Sequence, residues 1–598
     1  MNIGRSKIAR ACAVACCAGA VAPAAMAFDF KLGDLDGKVG GNMSVGTGYR
    51  ISERNAEILN TTNAAAIGAT GLAAGGRNSD DGNLNFGKGE RYSTVAKGVF
   101  DLQLKSANVG AFARILAWRD FTLTDTSRRW GNLPNGLSST QPLSDAGADR
   151  YGKFDGIELG DAYLFGNFSL AETPASFKLG KQTIGWGRTP LVGGGLNEIN
   201  PSNTMAARRP GALPSETVLP VPAVSVEIEV HKQLKLSGFY QFGFQSSVAA
   251  VCGTMFALGD FAQGGCDKIL LGAGTDQTLL ASGSFIRKVD PGLPADGNQF
   301  GVSAIYDLPE IRTVLGLYAA QYHSRGLLFD VFKTRRTGVT QTVANDPLNP
   351  TFRIAYPEKI RMLGAEFRTA LTKATGIYGE IAYRPNQPVR LSLSDLLGAF
   401  TGTTTTPGLL NADRAAVAPG GLYPGYDRKG VWNINLGFTH KFVKALGSAD
   451  LDLTAELAGK HVAGLPDASV RRYGRPDVFG LGPVPGTACT GNVKRCTFDG
   501  YVTRSAAGVR LRASTTFRNL GLEFAPELAL TPSVAFGHDL EGYSYDGALS
   551  EGRQSVTLSL RAAYREWSGT VALSKSGGGL YDVAKDRDFL TLSLGYTF

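Results

Sequence analysis

Few residues of this chain are spaced for covalent chemistry. The five histidines (His231, His323, His440, His461 and His538) form no HExxH arrangement, and no GxSxG occurs. The familiar zinc- and serine-hydrolase signals are therefore absent, and no catalytic residue or enzymatic activity is assigned. Seven cysteines fall into two sets. Cys12, Cys16 and Cys17 lie at the amino terminus, while Cys252 with Cys266 and Cys489 with Cys496 form close pairs in Gly/Pro-rich stretches. No histidine or second CxxC lies near either pair, so two loop-stapling disulfides are read in preference to a metal site. Asp80-Asp81-Gly82-Asn83 with Asn85 offers hard oxygen ligands of the kind Ca²⁺ takes. The spacing is not that of a calcium loop, and Asx turns account for the composition. No metal or cofactor is assigned, with calcium near Asp80-Asp81 left open. Arg208-Arg209 could clamp a carboxylate or phosphate. Ion pairing between this loop and a neighbouring wall is the plainer reading.

The two ends say where such residues must be held. Residues 1–27 read as a secretory signal, with Arg5, Lys7 and Arg10, an apolar stretch from Ala11 to Val21, and Ala25-Met26-Ala27 as the cleavage site. Removing them takes the net charge from +9 to +6, since the signal carries three basic and no acidic residues. That is a weak field over so long a chain and no argument for nucleic acid. At the other end, Leu590, Leu592, Leu594, Tyr596 and Phe598 alternate with Thr591, Ser593, Gly595 and Thr597. One face is apolar and ends on aromatics, and the other is small and polar. Such a strand suits a sheet closed in lipid, and Leu594, Tyr596 and Phe598 resemble the signal read by the barrel insertion machinery of the bacterial outer membrane.

Alternating segments recur from Val39–Ile51 to the carboxyl terminus, eighteen in all, with sixteen kept as an alternative. No run of some eighteen apolar residues follows residue 27, so no transmembrane helix is expected. Glycine, at 77 residues, is well above ordinary usage. Short connections such as Ser106–Asn108, His231–Gln233 and Arg565–Glu566 alternate with long ones near 52–91, 121–156, 185–222, 245–298, 324–359, 385–430, 458–503, 537–553 and 574–588. The fold class is therefore all-β: a transmembrane antiparallel β-barrel of about 16–18 strands in residues 28–598, with long extracellular loops and short periplasmic turns. Lys97, Asp101, Glu227, Glu229, Lys235, Asp452, Glu456, Arg510 and Arg512 must face the lumen, because charges on the lipid face are costly. A TonB-dependent receptor is disfavoured, because only Phe28–Gly37 precedes the first strand. Leu391 to Phe400 suits a short loop helix with Ser394 as its cap.

The most distinctive stretch runs from Leu179 to Pro222. It contains Gly180-Lys181-Gln182, Gly185-Trp186-Gly187, Gly193-Gly194-Gly195-Leu196-Asn197, Asn200-Pro201, Arg208-Arg209-Pro210-Gly211 and Leu219-Pro220-Val221-Pro222. Its glycines and prolines fix tight turns, so loop 185–222 is expected to be ordered and folded into the lumen. These residues, with Asn78–Phe86, Tyr356-Pro357-Glu358 and Tyr383-Arg384-Pro385-Asn386, resemble the proteobacterial outer-membrane proteins grouped as domain-of-unknown-function family 1302. Arg188 departs from the acidic residue expected after Trp-Gly. The resemblance implies a barrel that handles hydrophobic compounds, often with a periplasmic lipoprotein as partner.

The resulting expectation is an outer-membrane channel of a Gram-negative bacterium. It would pass hydrophobic small molecules of alkane, steroid, lipid or aromatic type by passive uptake. Trp186, Asn197, Asn200, Pro201, Arg208 and Arg209 are its candidate gating residues. Partners would be the solute, lipopolysaccharide and other outer-membrane lipid, the insertion machinery and a lipoprotein, with no nucleic acid. A polar-solute porin and a non-transport role in envelope lipid trafficking or lipoprotein docking are the alternatives.

Overall fold

The computed structural model describes residues 28–598 except 132–137, 188, 190, 263–265, 338–341, 403–407, 448 and 490–492. The proposed signal at 1–27 and Arg188 lie outside the described residues. Eighteen strands close into one antiparallel barrel, each paired with its neighbours in sequence. In chain order they are β1 Leu35–Arg50, β2 Arg91–Lys105, β3 Val109–Asp120, β4 Asp155–Leu170, β5 Thr173–Gln182 and β6 Val221–His231. Next come β7 Leu234–Gln241, β8 Gln299–Leu308, β9 Thr313–Tyr322, β10 Ile360–Ala370, β11 Thr375–Arg390 and β12 Tyr426–Leu446. The last are β13 Ala449–Val462, β14 Ser505–Thr515, β15 Ala529–Glu541, β16 Arg553–Tyr564, β17 Trp567–Gly578 and β18 Phe589–Thr597. A short strand, Phe28–Leu32, folds back on the start of β1. β18 pairs with β1 from Asn42↔Thr597 to Arg50↔Phe589, and this closure leaves no edge.

The period-2 pattern decides which face meets lipid. Val45, Ile115, Leu164, Leu317, Leu436, Leu558 and Leu594 stand exposed on the outer face. At the short-turn end an aromatic girdle forms around the carboxyl terminus: Trp567 and Tyr596 lie 4.9 Å apart, and Phe598 lies 6.2 Å from Phe100. Tyr383 stacks on Trp432 at 4.2 Å near the other rim. Aromatic residues at the two ends of an apolar belt are how a barrel sits in a bilayer. Phe598 N–H donates to the Gly41 carbonyl at 3.0 Å, tying the last residue into β1.

The lumen face is polar, and several of its charges are paired across neighbouring strands. Arg114 bridges Asp101 at 2.6 Å, Lys235 meets Glu227 at 3.4 Å, Lys441 meets Asp452 at 2.7 Å, and Arg510 meets Asp539 at 2.6 Å. No helix among the described residues is long and apolar enough to cross a membrane. The closed barrel, with its apolar outer face and every strand paired, is a form that spans one.

The nine long connections, here L1 to L9, build a cap on the extracellular side. Its centre is a second, five-stranded sheet of Leu422–Pro424, Leu328–Phe332, Thr351–Ala355, Phe285–Lys288 and Lys268–Leu270 from L6, L5 and L4. Sequence reading assigned all five segments to loops, because strands of three to five residues are too short to display alternation. The loop helix spans Leu393–Thr401, but its cap is Ser392 rather than Ser394. Ser392 Oγ accepts the Asp395 N–H at 3.3 Å. Leu396, Ala399 and Phe400 then pack into an apolar cluster with Val389, Val431 and Tyr473, so this helix faces its own cap.

Candidate functional site

L3, residues 183–220, leaves β5 and reaches the opposite wall before returning. Its first anchor is Trp186, buried with its ring 5.1 Å from Phe239 of β7 and 5.0 Å from Tyr318 of β9. Gly301 on β8 makes room, since a Cβ there would lie 2.6 Å from the indole. The loop then presents its backbone to charged groups on the far strands. Glu456 of β13 accepts the N–H groups of Leu191 and Val192 at 3.1 and 3.0 Å, and is held by the Tyr378 hydroxyl at 2.8 Å. Glu380 of β11 accepts the Leu196 N–H at 3.2 Å. Lys460 donates to the Gly193 carbonyl at 3.2 Å and pairs with Asp546 of L8.

Arg384 of β11 is the strongest of these anchors. It is fully buried and donates to the Tyr322 hydroxyl at 2.7 Å and to the Gly194 and Gly195 carbonyls at 2.9 and 2.5 Å. Its guanidinium also lies 3.0 Å from the Glu198 carboxylate. Leu196 seats against Gly364 of β10, where a Cβ would collide with its side chain.

Past the short turn Leu196–Ile199 the loop recrosses. Asn200 closes the bend by accepting the Ile184 N–H at 2.9 Å and donating to the Ile184 carbonyl at 2.7 Å. Asn197 closes the turn through its carbonyl, which accepts the Asn200 N–H at 3.1 Å, and is itself exposed. The Pro201 carbonyl accepts the Leu219 N–H at 2.8 Å and so fastens the two ends of the return. Arg209 is buried, stacks on Trp118 at 4.5 Å and donates to the Lys153 carbonyl at 3.0 Å. Arg208 lies instead over the Phe256 ring at 4.7 Å. The two arginines thus work apart, and no carboxylate pairs with either among the described residues. Pro210 packs against Gly46 of β1, where a Cβ would come within 2.7 Å of it. The return ends on β2, where the Lys97 ammonium meets Glu216 and also donates to the Gly211 carbonyl at 2.6 Å.

The loop therefore crosses the lumen and divides it. Its polar contacts and ring packing go to β1–β3, β7, β9 and β11–β13, and among the described residues none goes to β14–β17. That wall carries Arg553, Arg510, Arg512 and Arg561 in descending order, with Ser555, Thr557, Ser559, Ser574 and Ser576 between them. Arg553 and Arg510 share Asp539, at 2.7 and 2.6 Å. Arg512, Ser555 and Arg561 are exposed to the lumen. The small side chains show in the sequence as the polar half of each alternating strand; the stripe they form with the arginines depends on register, which the sequence does not display. Cys252–Cys266 and Cys489–Cys496 are disulfide-bonded, within L4 and L7.

A closed barrel with an apolar outer belt, aromatic girdles and a polar lumen narrowed by an inserted loop defines an outer-membrane β-barrel protein of a Gram-negative bacterium. The chain belongs to the family described as "Protein of unknown function (DUF1302)", whose profile matches residues 7–598. Among solved structures it is similar to the outer-membrane protein OpdK of Pseudomonas aeruginosa, at 11% identity and a TM-score of 0.37, covering 94% of this chain and 98% of that one. OccAB4 of Acinetobacter baumannii is 10% identical, with a TM-score of 0.37 and the same coverage of 94% and 98%. OccK9 (OpdG) of Pseudomonas aeruginosa is 10% identical, with a TM-score of 0.38 and coverage of 94% and 98%. No curated protein matches the chain.

Proposed function

We propose that this barrel is a passive outer-membrane channel for small, water-soluble anions, narrowed by L3. The observation that carries the reading is the arginine stripe on β14–β16. Exposed Arg512 and Arg561 lie on the wall the crossing loop leaves uncontacted, among serines and threonines that hydrate a moving solute. The larger apolar groups along the crossing of L3, Trp186, Leu196, Ile199 and Met205, are buried in packing. A guanidinium presents a fork of donors that fits a carboxylate, and successive guanidinium groups favour transfer of an anion along the wall. The test is a planar-bilayer reversal potential in a KCl gradient: preference for chloride over potassium is expected, and cation preference overturns the reading.

A second reading, uptake of hydrophobic solutes, draws on the family resemblance and on one feature of the cap. Leu72, Leu258, Leu293 and Leu580 of L1, L4 and L9 stand exposed on the cap. Such side chains give a greasy solute a first foothold outside the polar path. A deletion strain that takes up hydrophobic carbon sources normally but loses small carboxylates would separate the two. A periplasmic lipoprotein partner belongs with this second reading.

A further inference from the structure

The extracellular cap holds four carboxylates for which the channel has no use. Asp80 and Asp81 open the short helix Asp81–Asn85 of L1, and Asp260 lies in L4, 179 residues beyond Asp81. Asp276 starts a second L4 helix, Asp276–Ser282. Their exposures are 0% for Asp80 and Asp81, 2% for Asp260 and 1% for Asp276. Several of their oxygens are satisfied by nearby donors. Asp80 accepts the Asn60 N–H at 2.9 Å and the Asn63 amide at 3.3 Å, and Asp260 accepts the Asp81 N–H at 3.0 Å. Asp81 is different. Both of its carboxylate oxygens are buried without an N–H or hydroxyl donor, and the side chain they meet is a second carboxyl, Asp276.

The orphaned carboxylate points into the cluster. One oxygen each from Asp80, Asp81 and Asp276 lies within 4.8 Å of the other two. Three carboxylate oxygens converging in this way offer a cation the hard donors that Ca²⁺ takes. Asp81 also lies in a similar group with Asp260 and Cys252. The Cys252 sulfur is committed to its disulfide, which leaves Asp260 as the oxygen donor on that side.

The charge is unbalanced in the same sense. The four carboxylates, with Asp477 also acting on Asp260, outnumber the guanidinium groups that reach them: Arg77, whose Nη1 is 3.5 Å from Asp276, and Arg587, which acts on Asp260 from L9. Burial, and then the neighbouring Asp276 and Asp260 charges, hold the Asp80 and Asp81 carboxyls well above the ordinary carboxylate range. Bare charges are expensive here, and a divalent ion answers both the excess of carboxylates and the orphaned lone pairs.

We infer that Asp80, Asp81 and Asp276, with Asp260 behind Asp81, form a calcium site that fastens L1 to L4 over the mouth of the barrel. The contiguous spacing of a calcium loop is absent because the ligands come from two loops. The site is independent of which solute the channel passes.

Equilibrium dialysis of the purified, detergent-solubilised barrel against ⁴⁵CaCl₂ tests this. A single bound calcium is expected, removed by EGTA, with affinity at least about tenfold weaker in Asp81→Asn, the order of change seen when metal-site partners are lost. Chelation should also speed proteolysis within L1 and L4 while heat-resistant barrel migration on gels is unchanged. Asp276→Asn serves as a second variant, and Asp467→Asn in L7 as a control that binds calcium normally. Wild-type protein that binds no calcium at millimolar concentration, or Asp81→Asn and Asp276→Asn that bind it as wild type does, overturns the site. Protection of L1 and L4 that chelation leaves intact overturns its role as a fastener.

Discussion

Arg384 on β11 and Glu198 in the crossing loop lie 3.0 Å apart, with the guanidinium wholly out of water. The same guanidinium caps the Gly194 and Gly195 carbonyls, so one side chain fixes both the position and the backbone orientation of L3. Removing one partner of a buried pair strands the other charge, at a cost of about 3–5 kcal/mol. Arg384→Met is expected to release the Gly193–Ile199 segment and raise single-channel conductance, with new gating noise. Adding Glu198→Gln should recover part of the closed behaviour, because the stranded carboxylate is gone. Conductance unchanged in Arg384→Met would show that L3 is held elsewhere.

The glycine seats make a separate prediction. Leu196 fits only because Gly364 has no side chain, and Pro210 lies equally close to Gly46. Gly364→Val should push Leu196 off the β10 wall, costing about 1–3 kcal/mol of overpacking. Gly238→Val places its side chain where the nearest atoms stand 3.5 Å or more away, so it serves as the mild control. Liposome-swelling rates should rise for Gly364→Val and stay near wild type for Gly238→Val.

Charge on the uncontacted wall should set ion preference. Arg512→Glu with Arg561→Glu replaces two exposed cations by anions and leaves the Arg510–Asp539–Arg553 cluster intact. The reversal potential should move toward cation preference, and the shift should shrink in concentrated salt as screening lengths shorten. A shift in Arg208→Glu as large as in the pair would place the selective element in L3 instead.

All eighteen staves were legible because period-2 alternation is imposed by lipid outside and water inside, residue after residue. Their ends were less so. Sequence alternation ends at Tyr383 and puts the long connection from about residue 385, yet the strand runs to Arg390. Its register shifts between Arg384 and Gln387, so the proline occupies a bulge and no ladder bond is lost. Arg384 stood in the sequence beside that proline without any local sign of its role, since its partners lie in L3 and on β9. The same holds for Glu380, Glu456 and Lys460: each looks like an ordinary lumen charge until L3 is laid across it. Turn residues such as Asn200-Pro201 announced an ordered loop, but not which wall it reaches. Nor could spacing join Asp80-Asp81 to Asp276, because loop packing alone brings them together.

Acid should loosen one corner of the cap. Glu57 of L1 accepts from Lys494 of L7 at 2.7 Å and from Lys585 of L9, and these hydrogen bonds hold its carboxyl down at about 2. The folded value is below the unfolded one, so the contribution is present above the ordinary range near 4.5 and is lost as pH falls from about 5 toward 2. Glu57 is 44% exposed, and solvent screening keeps the effect within about 1 kcal/mol. Cleavage of L7 by pepsin should therefore rise between pH 5 and 3 more steeply in wild type than in Glu57→Gln. Parallel pH profiles for the two proteins would remove Glu57 as the cause.

The two disulfides should differ in what they protect. Cys252–Cys266 closes 14 residues of L4 and Cys489–Cys496 closes seven of L7. Chain entropy gives the first about 3 kcal/mol, and doubling the loop length is worth about 0.6 kcal/mol over the second. The L4 staple also encloses Asp260 and brings Cys252 against Asp81. Cys252→Ala with Cys266→Ala should thus open L4 to proteolysis and expose the apolar cluster of Val248, Val251 and Met255. Cys489→Ala with Cys496→Ala should affect L7 alone and less severely. Neither change reaches the barrel ladder, so heat-modifiable migration should persist in both. Loss of the folded barrel in the first pair would mean that L4 is needed for assembly as well as for the cap.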